Sequence, residues 1–387
     1  MLDRRSRAWI ERDRDAFMST ISRSDPGFVL RQRRLWRWAA HVPFSSYRLV
    51  ARWSAYGDLA RPSDETGHDG ADAVAAPLTQ ERYRLGRFDR RPARDDLFLT
   101  FVKEGGRWLI ASDSDFRSVG LASASHLWDY GPVIEQRSEH FSLLSHPCGA
   151  RIGCASTVQG LLALAEQGME RVDRLWVAPW PHDVVILLPT TTAELGALVQ
   201  ATYDLDNFVA FASSSVDPDG GFDYGGHRIL LNPPAFEGRD PSSTLTILAH
   251  ELLHVATRAV SGPFVPTVIE EGIASYVGYD ADPATLAYFE AQVDAGNFDG
   301  RLPQDYEFIT GSGADIFMSY QEAQSAVAFF VERWGLRGFV EFYRRLGARA
   351  VAPGTARHQL DRALKATIGM GIDGFVDSWA DSIPRRT

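Results

Sequence analysis

The segment SSTLTILAHELLHVATRAV, residues 242–260, constrains this chain more than any other. It follows Asp240-Pro241, an N-cap residue with proline at the first helical position. Leu245, Leu248, Leu252, Val255 and Ala259 recur at three- and four-residue intervals, which predicts an amphipathic helix with a buried stripe. On that helix lies His250-Glu251-Leu252-Leu253-His254. Residues four apart share a helical face, so both imidazoles can aim a nitrogen at one point about 2.0–2.1 Å away, the bond length zinc requires. Glu251 sits one step round from His250, poorly placed to ligate the same ion but able to reach a water bound there. Two imidazoles and a carboxylate inside a mostly apolar helix are costly without such compensation.

A catalytic zinc keeps three protein ligands and one open position, so a third ligand is expected. One class of such sites places a histidine six residues after the second, with glycine midway; here those positions are Val260 and Thr257, and the class is excluded. The segment Pro266-Thr267-Val268-Ile269-Glu270-Glu271-Gly272-Ile273-Ala274 instead supplies two carboxylates at the start of another helix. It resembles the W-L-x-E-G-x-A segment of the gluzincins, the thermolysin- and aminopeptidase-like metallopeptidases. By that resemblance Glu271 is the third ligand, Val268 replaces the family's tryptophan, and Glu270 occupies the variable position, otherwise a solvated helix-start carboxylate. The His254-to-Glu271 interval is slightly short and asks for a tight connection through Ser261-Gly262-Pro263. Downstream, the helix that Asp315-Ile316-Phe317-Met318-Ser319-Tyr320 enters and that ends near Arg333-Trp334-Gly335 is similar to one in the bacterial peptidase MA-like branch. The later segments GLRGFVEFYRRL and RHQLDRALKATIGM and the final Trp379 follow the same outline. The resemblance makes Tyr320 the phenol that stabilises an oxyanion, with an ordinary helix-start tyrosine as the alternative; Tyr276 reads as core.

Ahead of this region, a helix is expected over Leu2–Ile21 and a second through Phe28, Leu30, Leu35, Trp36 and Ala39, separated by Ser24-Asp25-Pro26-Gly27. Strands are expected over Tyr47–Trp53, Glu81–Phe88, Leu97–Lys103 and Arg107–Ser112, with a long polar loop over 57–77 and a hairpin turn at Glu104-Gly105-Gly106. The opening ERDRDAFMSTI and the closing FVKEGGRWLIASDSD resemble the cystatin-like α+β domains of the nuclear transport factor 2 superfamily, which implies a conical pocket but no particular function. Trp9, Trp36, Trp38 and Trp53 read as core or rim packing.

The expected fold is therefore α+β: an accessory domain over 1–135, a linker over 136–153, and a thermolysin-like metallopeptidase domain over 154–387. The latter divides into a twisted sheet and zinc helix over 154–261 and a helical subdomain over 262–387. Helices are expected over Ala155–Val172 and Ala193–Thr202, strands over Asp183–Leu188, Phe208–Ser214 and His227–Asn232, and a flexible turn over the glycine-rich decapeptide 217–226. His227–Asn232 is the strand expected to line the cleft and pair with an extended substrate.

Composition narrows the partners. The net charge of −10 lacks the basic footprint that nucleic acid requires, and nearly all the positive charge is arginine, Lys103 and Lys365 being the only lysines. No apolar run is long enough for a membrane span, and the basic N-terminus lacks a signal peptide's apolar stretch. At face value the chain is cytoplasmic; a longer N-terminus would permit export. Cys148 and Cys154 could close a small disulfide loop or remain free thiols. The expected function is zinc-dependent hydrolysis of a peptide or protein substrate, with one Zn2+ per chain on His250, His254 and Glu271 and with Glu251 as general base. The alternatives are a zinc-containing binding protein that uses the N-terminal pocket and a zinc hydrolase of a non-peptide amide or ester. No amine-binding G-x-M-E-N-like segment precedes the zinc helix, so exo- and endopeptidase action both stand, and the sequence assigns no oligomeric state.

Overall fold

The computed structural model describes residues 1–52, 68, 70–147, 155–202, 205–206, 208–217, 223–260, 262, 264–347 and 356–383. Cys148, Cys154, Trp53, most of the expected 57–77 loop, Ser261, Pro263 and the middle of the decapeptide lie outside them. The chain is α+β, as its alternating periods predict.

The first expected helix is two. α1 (Leu2–Glu11) ends on Arg12 with a left-handed φ of 58°, and Asp13 starts α2 (Arg14–Met18) by accepting a hydrogen bond from the Ala16 amide at 2.9 Å. A side chain that caps a new helix competes with continuation of the old one. Asp25 caps α3 (Pro26–Trp38) in the same way, with Pro26 inside its first turn. The strands that follow are β1 (Phe44–Arg52), β2 (Ala73–Ala75), β3 (Leu78–Leu85), β4 (Ala93–Leu97), β5 (Thr100–Glu104) and β6 (Arg107–Ser112). They form two antiparallel three-stranded sheets, β1-β3-β4 and β2-β5-β6, closed over an aromatic cluster in which Trp9 lies 5.0 Å from Phe17 and 5.3 Å from Tyr47. The expected strand over 97–103 divides between β4 and β5.

After α4 (Leu127–Tyr130), the stretch 134–145 is not the connecting segment expected there. It forms β7 (Ile134–Arg137) and β8 (Phe141–Ser145), which continue a five-stranded sheet with β9 (Val184–Leu188), β10 (Ala210–Asp217) and β11 (Asp223–Leu231) in the order β10-β11-β9-β8-β7. Phe141, Leu143 and Leu144 are wholly buried. A short strand covered on both faces shows no alternation, so its pattern carries no strand signal. β9 is parallel to both of its neighbours, while β10 and β7 are antiparallel edges.

Alternate residues of this sheet feed two cores. Leu143, Val184, Ile186 and Ile229 face α5 (Ala155–Leu175) and the helices beyond, whereas Leu144 and Val185 join the N-terminal core with Tyr83 and Trp128. The N-terminal module is fastened there by a bidentate ion pair from Arg228 of β11 to Asp89, at 2.6 and 2.7 Å with both side chains buried. At Gly226, where φ is 60°, a Cβ would lie 2.4 Å from that of Ala93, so only glycine permits this approach of β11 to β4.

Thr191 caps α6 (Thr192–Val199) by accepting from the Glu194 amide. The short α7 (Pro233–Phe236) precedes α8 (Pro241–Thr257), whose N-cap Asp240 accepts from the Ser243 amide at 2.9 Å. Then come α9 (Thr267–Gly278), α10 (Ala287–Asp294), α11 (Gly313–Gly347), α12 (Ala356–Ile368) and α13 (Ile372–Ser382). α11 is broken at Gly335, whose φ of 74° is the stop expected near that residue. Trp379 is completely buried and donates to Ser325 at 3.1 Å. No helix among the described residues is long and apolar enough to cross a membrane.

Candidate metal centre

α8 is buried nearly all round, not along one stripe. Leu248, Ala249, Leu252, Leu253, Val255 and Ala256 are fully enclosed by α5, α9 and the sheet, while Ala259 lies past the helix end and is exposed. Helix α9 crosses behind it, held close to α11 by Gly272: a Cβ there would lie 2.5 Å from the Ala323 carbonyl oxygen. The glycine after Glu271 thus sets the depth of the helix that carries Glu271.

The two helices bring three ligand atoms together. His250 Nε2 lies 3.1 Å from Glu271 Oε2, His254 Nε2 lies 3.4 Å from the same oxygen, and the two Nε2 atoms are 3.2 Å apart. Two atoms bound at 2.0–2.1 Å to one tetrahedral ion stand about 3.3 Å apart, so this triangle has the edge lengths of a zinc coordination face. The side chains are 17%, 13% and 18% exposed, leaving one side open. Burial would lower the His254 pKa, but Glu271 outweighs it and holds the ring at about 9; burial would raise Glu271, but His254 and His250 hold it well below the usual carboxylate range.

Glu251 is 7% exposed and lines a cavity of about 290 Å3 with His250, Ile247, Phe208, Ile316 and Tyr320. Burial pushes its carboxyl up, against the pull of His250 and His254. Tyr320, on the opposite wall from α11, has its ring 6.1 Å from that of His250 and edge-on to Phe308. Of the five residues singled out in the sequence, His250, Glu251 and Tyr320 line this cavity, and His254 and Glu271 adjoin it through their contacts with His250. Tyr276 is half-buried and packs on the core.

Two local expectations change. Glu270 is not a solvated carboxylate: it accepts the Tyr343 hydroxyl at 3.4 Å, and burial raises its pKa. The strand over 227–232 cannot pair with a substrate, because it belongs to β11, which has partners on both sides; the edge strand beside it is β10. Arg258, four residues beyond His254, also escaped notice. It donates to the Ser214 hydroxyl at 2.8 Å and to the Ala212 carbonyl at 2.9 Å, and its four-residue spacing from the second histidine was the available signal.

Among the described residues one further group could hold a cation: Glu81, Asp95 and His126 in the N-terminal module. There His126 Nε2 stands 2.5 Å from Glu81 Oε2, the contact of a hydrogen-bonded ion pair and shorter than a coordination edge.

No protein-family model matches the sequence, and no curated protein matches it. Solved structures with a partial likeness include a variant of a two-domain M1 zinc metallopeptidase bound to L-tryptophan, 15% identical with a TM-score of 0.32. They also include variants of an M1 zinc metallopeptidase from Deinococcus radiodurans, 13% identical at a TM-score of 0.31 and, bound to a Tyr-Ser-Ala substrate, 14% identical at 0.32. Each alignment covers 66% of this chain and 54% of the other, so the chain spans about half the length of the structures it matches.

Proposed function

We propose that the chain is a zinc-dependent metallopeptidase of gluzincin type, with His250, His254 and Glu271 holding one zinc ion. The observation that carries this reading is the triangle of ligand atoms at 3.1–3.4 Å beside a buried Glu251 that lines the adjoining cavity. The donor set, two imidazoles and one carboxylate with an open side, fits zinc in a hydrolytic site. Zinc supplies a Lewis acid that lowers the pKa of a bound water towards about 7. Glu251, raised by its burial, accepts the proton of the attacking water and passes it to the leaving nitrogen. The Tyr320 hydroxyl donates to the carbonyl oxygen as negative charge builds there. The outward edge of β10 offers backbone groups along which an extended peptide can lie as an added strand.

In this reading residues 1–135 are an accessory module related to the nuclear transport factor 2 superfamily, and the peptidase unit comprises the five-stranded sheet with α5–α13. The test is metal content together with hydrolysis of a mixed fluorogenic peptide library by wild type and Glu251→Gln. Bound zinc with activity lost only in the variant supports the assignment; bound zinc and no hydrolysis by either supports the binding-protein alternative.

A further inference from the structure

We propose that the cleft at the metal centre continues along the N-terminal half of α8 into a second, polar chamber. Its substrates are then peptides that reach at least three residues past the cleaved bond on that side, the first of them apolar and the later ones polar. The inference rests on the peptidase reading. The cavity of about 290 Å3 beside His250 and Glu251 and a cavity of about 470 Å3 farther along the helix share three wall residues, Thr246, Ile247 and Tyr279. Ser243, Thr246, Ile247 and His250 follow one another at helical spacing and form one face of α8. Each is only partly buried, whereas Thr244, Leu248 and Ala249 behind them are enclosed. From His250 back to Ser243 is about 10 Å of helix, the reach of about three residues of extended peptide.

The two chambers differ in chemistry. The first is walled by Phe208, Ile247, Ile316 and Phe317, and among the described residues the site's own His250 and Glu251 are its only charged side chains. A terminal ammonium or carboxylate lodged there would be a buried charge without a partner, which is costly. A peptide chain therefore passes through this chamber and does not end in it. The second is walled by Ser242, Ser243 and Thr285 together with Arg171, Arg239, Asp280 and Asp282. Arg171 donates to the Gly278 carbonyl and stands 4.0 Å from Asp280, which also pairs with Arg174. Asp282 accepts the Ala284 amide at 2.9 Å, and Arg239 donates to the Ala235 carbonyl at 2.8 Å. The wall charges balance, and Arg174 and Asp240 just outside add one of each sign. The second chamber thus selects for polarity and not for a particular charge.

The junction supplies the contacts that a crossing chain requires. The hydroxyls of Thr246 and Tyr279 have no hydrogen-bond partner among the described residues, although both side chains are partly buried. Burial raises the Tyr279 pKa, which keeps the phenol protonated and able to donate. A peptide that passes from one chamber to the other carries one N–H and one C=O per residue past these two hydroxyls.

The test uses peptides with one apolar residue on each side of a single cleavable bond, lengthened by serines toward the N-terminus in one series and toward the C-terminus in the other. Zinc-loaded wild type is expected to gain about tenfold or more in kcat/KM along one of the two series, most of it by the second serine. Leucines in place of those serines are expected to gain less than about threefold. Ser242→Trp, which fills the second chamber from an exposed position, is expected to shrink the serine gain to within about threefold while the shortest peptide is still cleaved. Rates independent of length in both series overturn the proposal with the peptidase reading intact. So do leucines that match serines, an unchanged gain in Ser242→Trp, and an equal fall on every length in that variant, the mark of general damage to α8. Should Ser242→Trp unfold, Thr246→Val, which removes a junction hydroxyl at nearly constant volume, is expected to lower the gain, and an unchanged gain there overturns the proposal. Absence of all hydrolysis by zinc-loaded wild type overturns the peptidase reading itself.

Discussion

His250 Nε2 and His254 Nε2 stand 3.2 Å apart on one face of α8, and both lie within 3.4 Å of the same Glu271 oxygen. Each Nε2 either donates or accepts, so the three contacts among His250, His254 and Glu271 cannot all be hydrogen bonds at once, whereas a shared cation satisfies them all. His254→Ala is therefore expected to reduce bound metal from about one zinc per chain to background. Elemental analysis after extensive dialysis measures this; full retention of zinc would place the metal elsewhere.

Gly272 predicts a coupling between packing and the metal. Its replacement by alanine puts a Cβ 2.5 Å from the Ala323 carbonyl oxygen, so α9 must move away from α11 and carry Glu271 with it. Gly272→Ala is expected to cost on the order of 1–3 kcal/mol in denaturant unfolding and to weaken zinc retention in the same protein. A variant with wild-type stability and zinc content would contradict the account of how α9 is placed.

The Asp89–Arg228 pair predicts that the N-terminal module and the five-stranded sheet unfold together. The side chains are 1% and 6% exposed, and removing one partner leaves a buried charge without compensation. Asp89→Ala is expected to destabilise by about 3–5 kcal/mol. Calorimetry of the wild type is expected to show one transition; two well-separated transitions, only one of them moved by the substitution, would show that the modules fold independently.

His126 gives the pH dependence. Burial alone would lower its pKa, but Glu81 at 2.5 Å outweighs that and raises it from 6.5 to about 9. The folded state therefore binds the proton more tightly than the unfolded chain. This contribution is fully present below about pH 6.5 and is lost as pH rises through about 9. Thermal unfolding between pH 6 and pH 9.5 is expected to show a larger fall in Tm for wild type than for His126→Gln; parallel falls would remove His126 from the explanation.

Much of the centre was legible because its chemistry sits at fixed spacing. His250, Glu251 and His254 are set by one helix, and Asp240-Pro241 announces where it starts. Glu271 came from a motif, and Gly272 now has a packing reason to stand beside it. What escaped was long-range. β8 is buried by both cores and so carries no alternation, and the sheet order that makes β10 an edge depends on crossovers that no local pattern records. Likewise the Tyr343–Glu270 contact joins residues 73 positions apart. The single helix expected over Leu2–Ile21 divides for a local reason: its apolar period continues through the point where Asp13 caps a new helix.

Glu251→Gln is the most direct trial of the central claim, because the substitution keeps the size and packing of a 7% exposed side chain while removing its basicity. Zinc content and the rate of peptide hydrolysis should be measured together on wild type and variant. The account predicts about one zinc in each and hydrolysis reduced by at least about a hundredfold in the variant. Hydrolysis at the wild-type rate by zinc-loaded Glu251→Gln, or wild-type protein that binds no zinc at all, would contradict it.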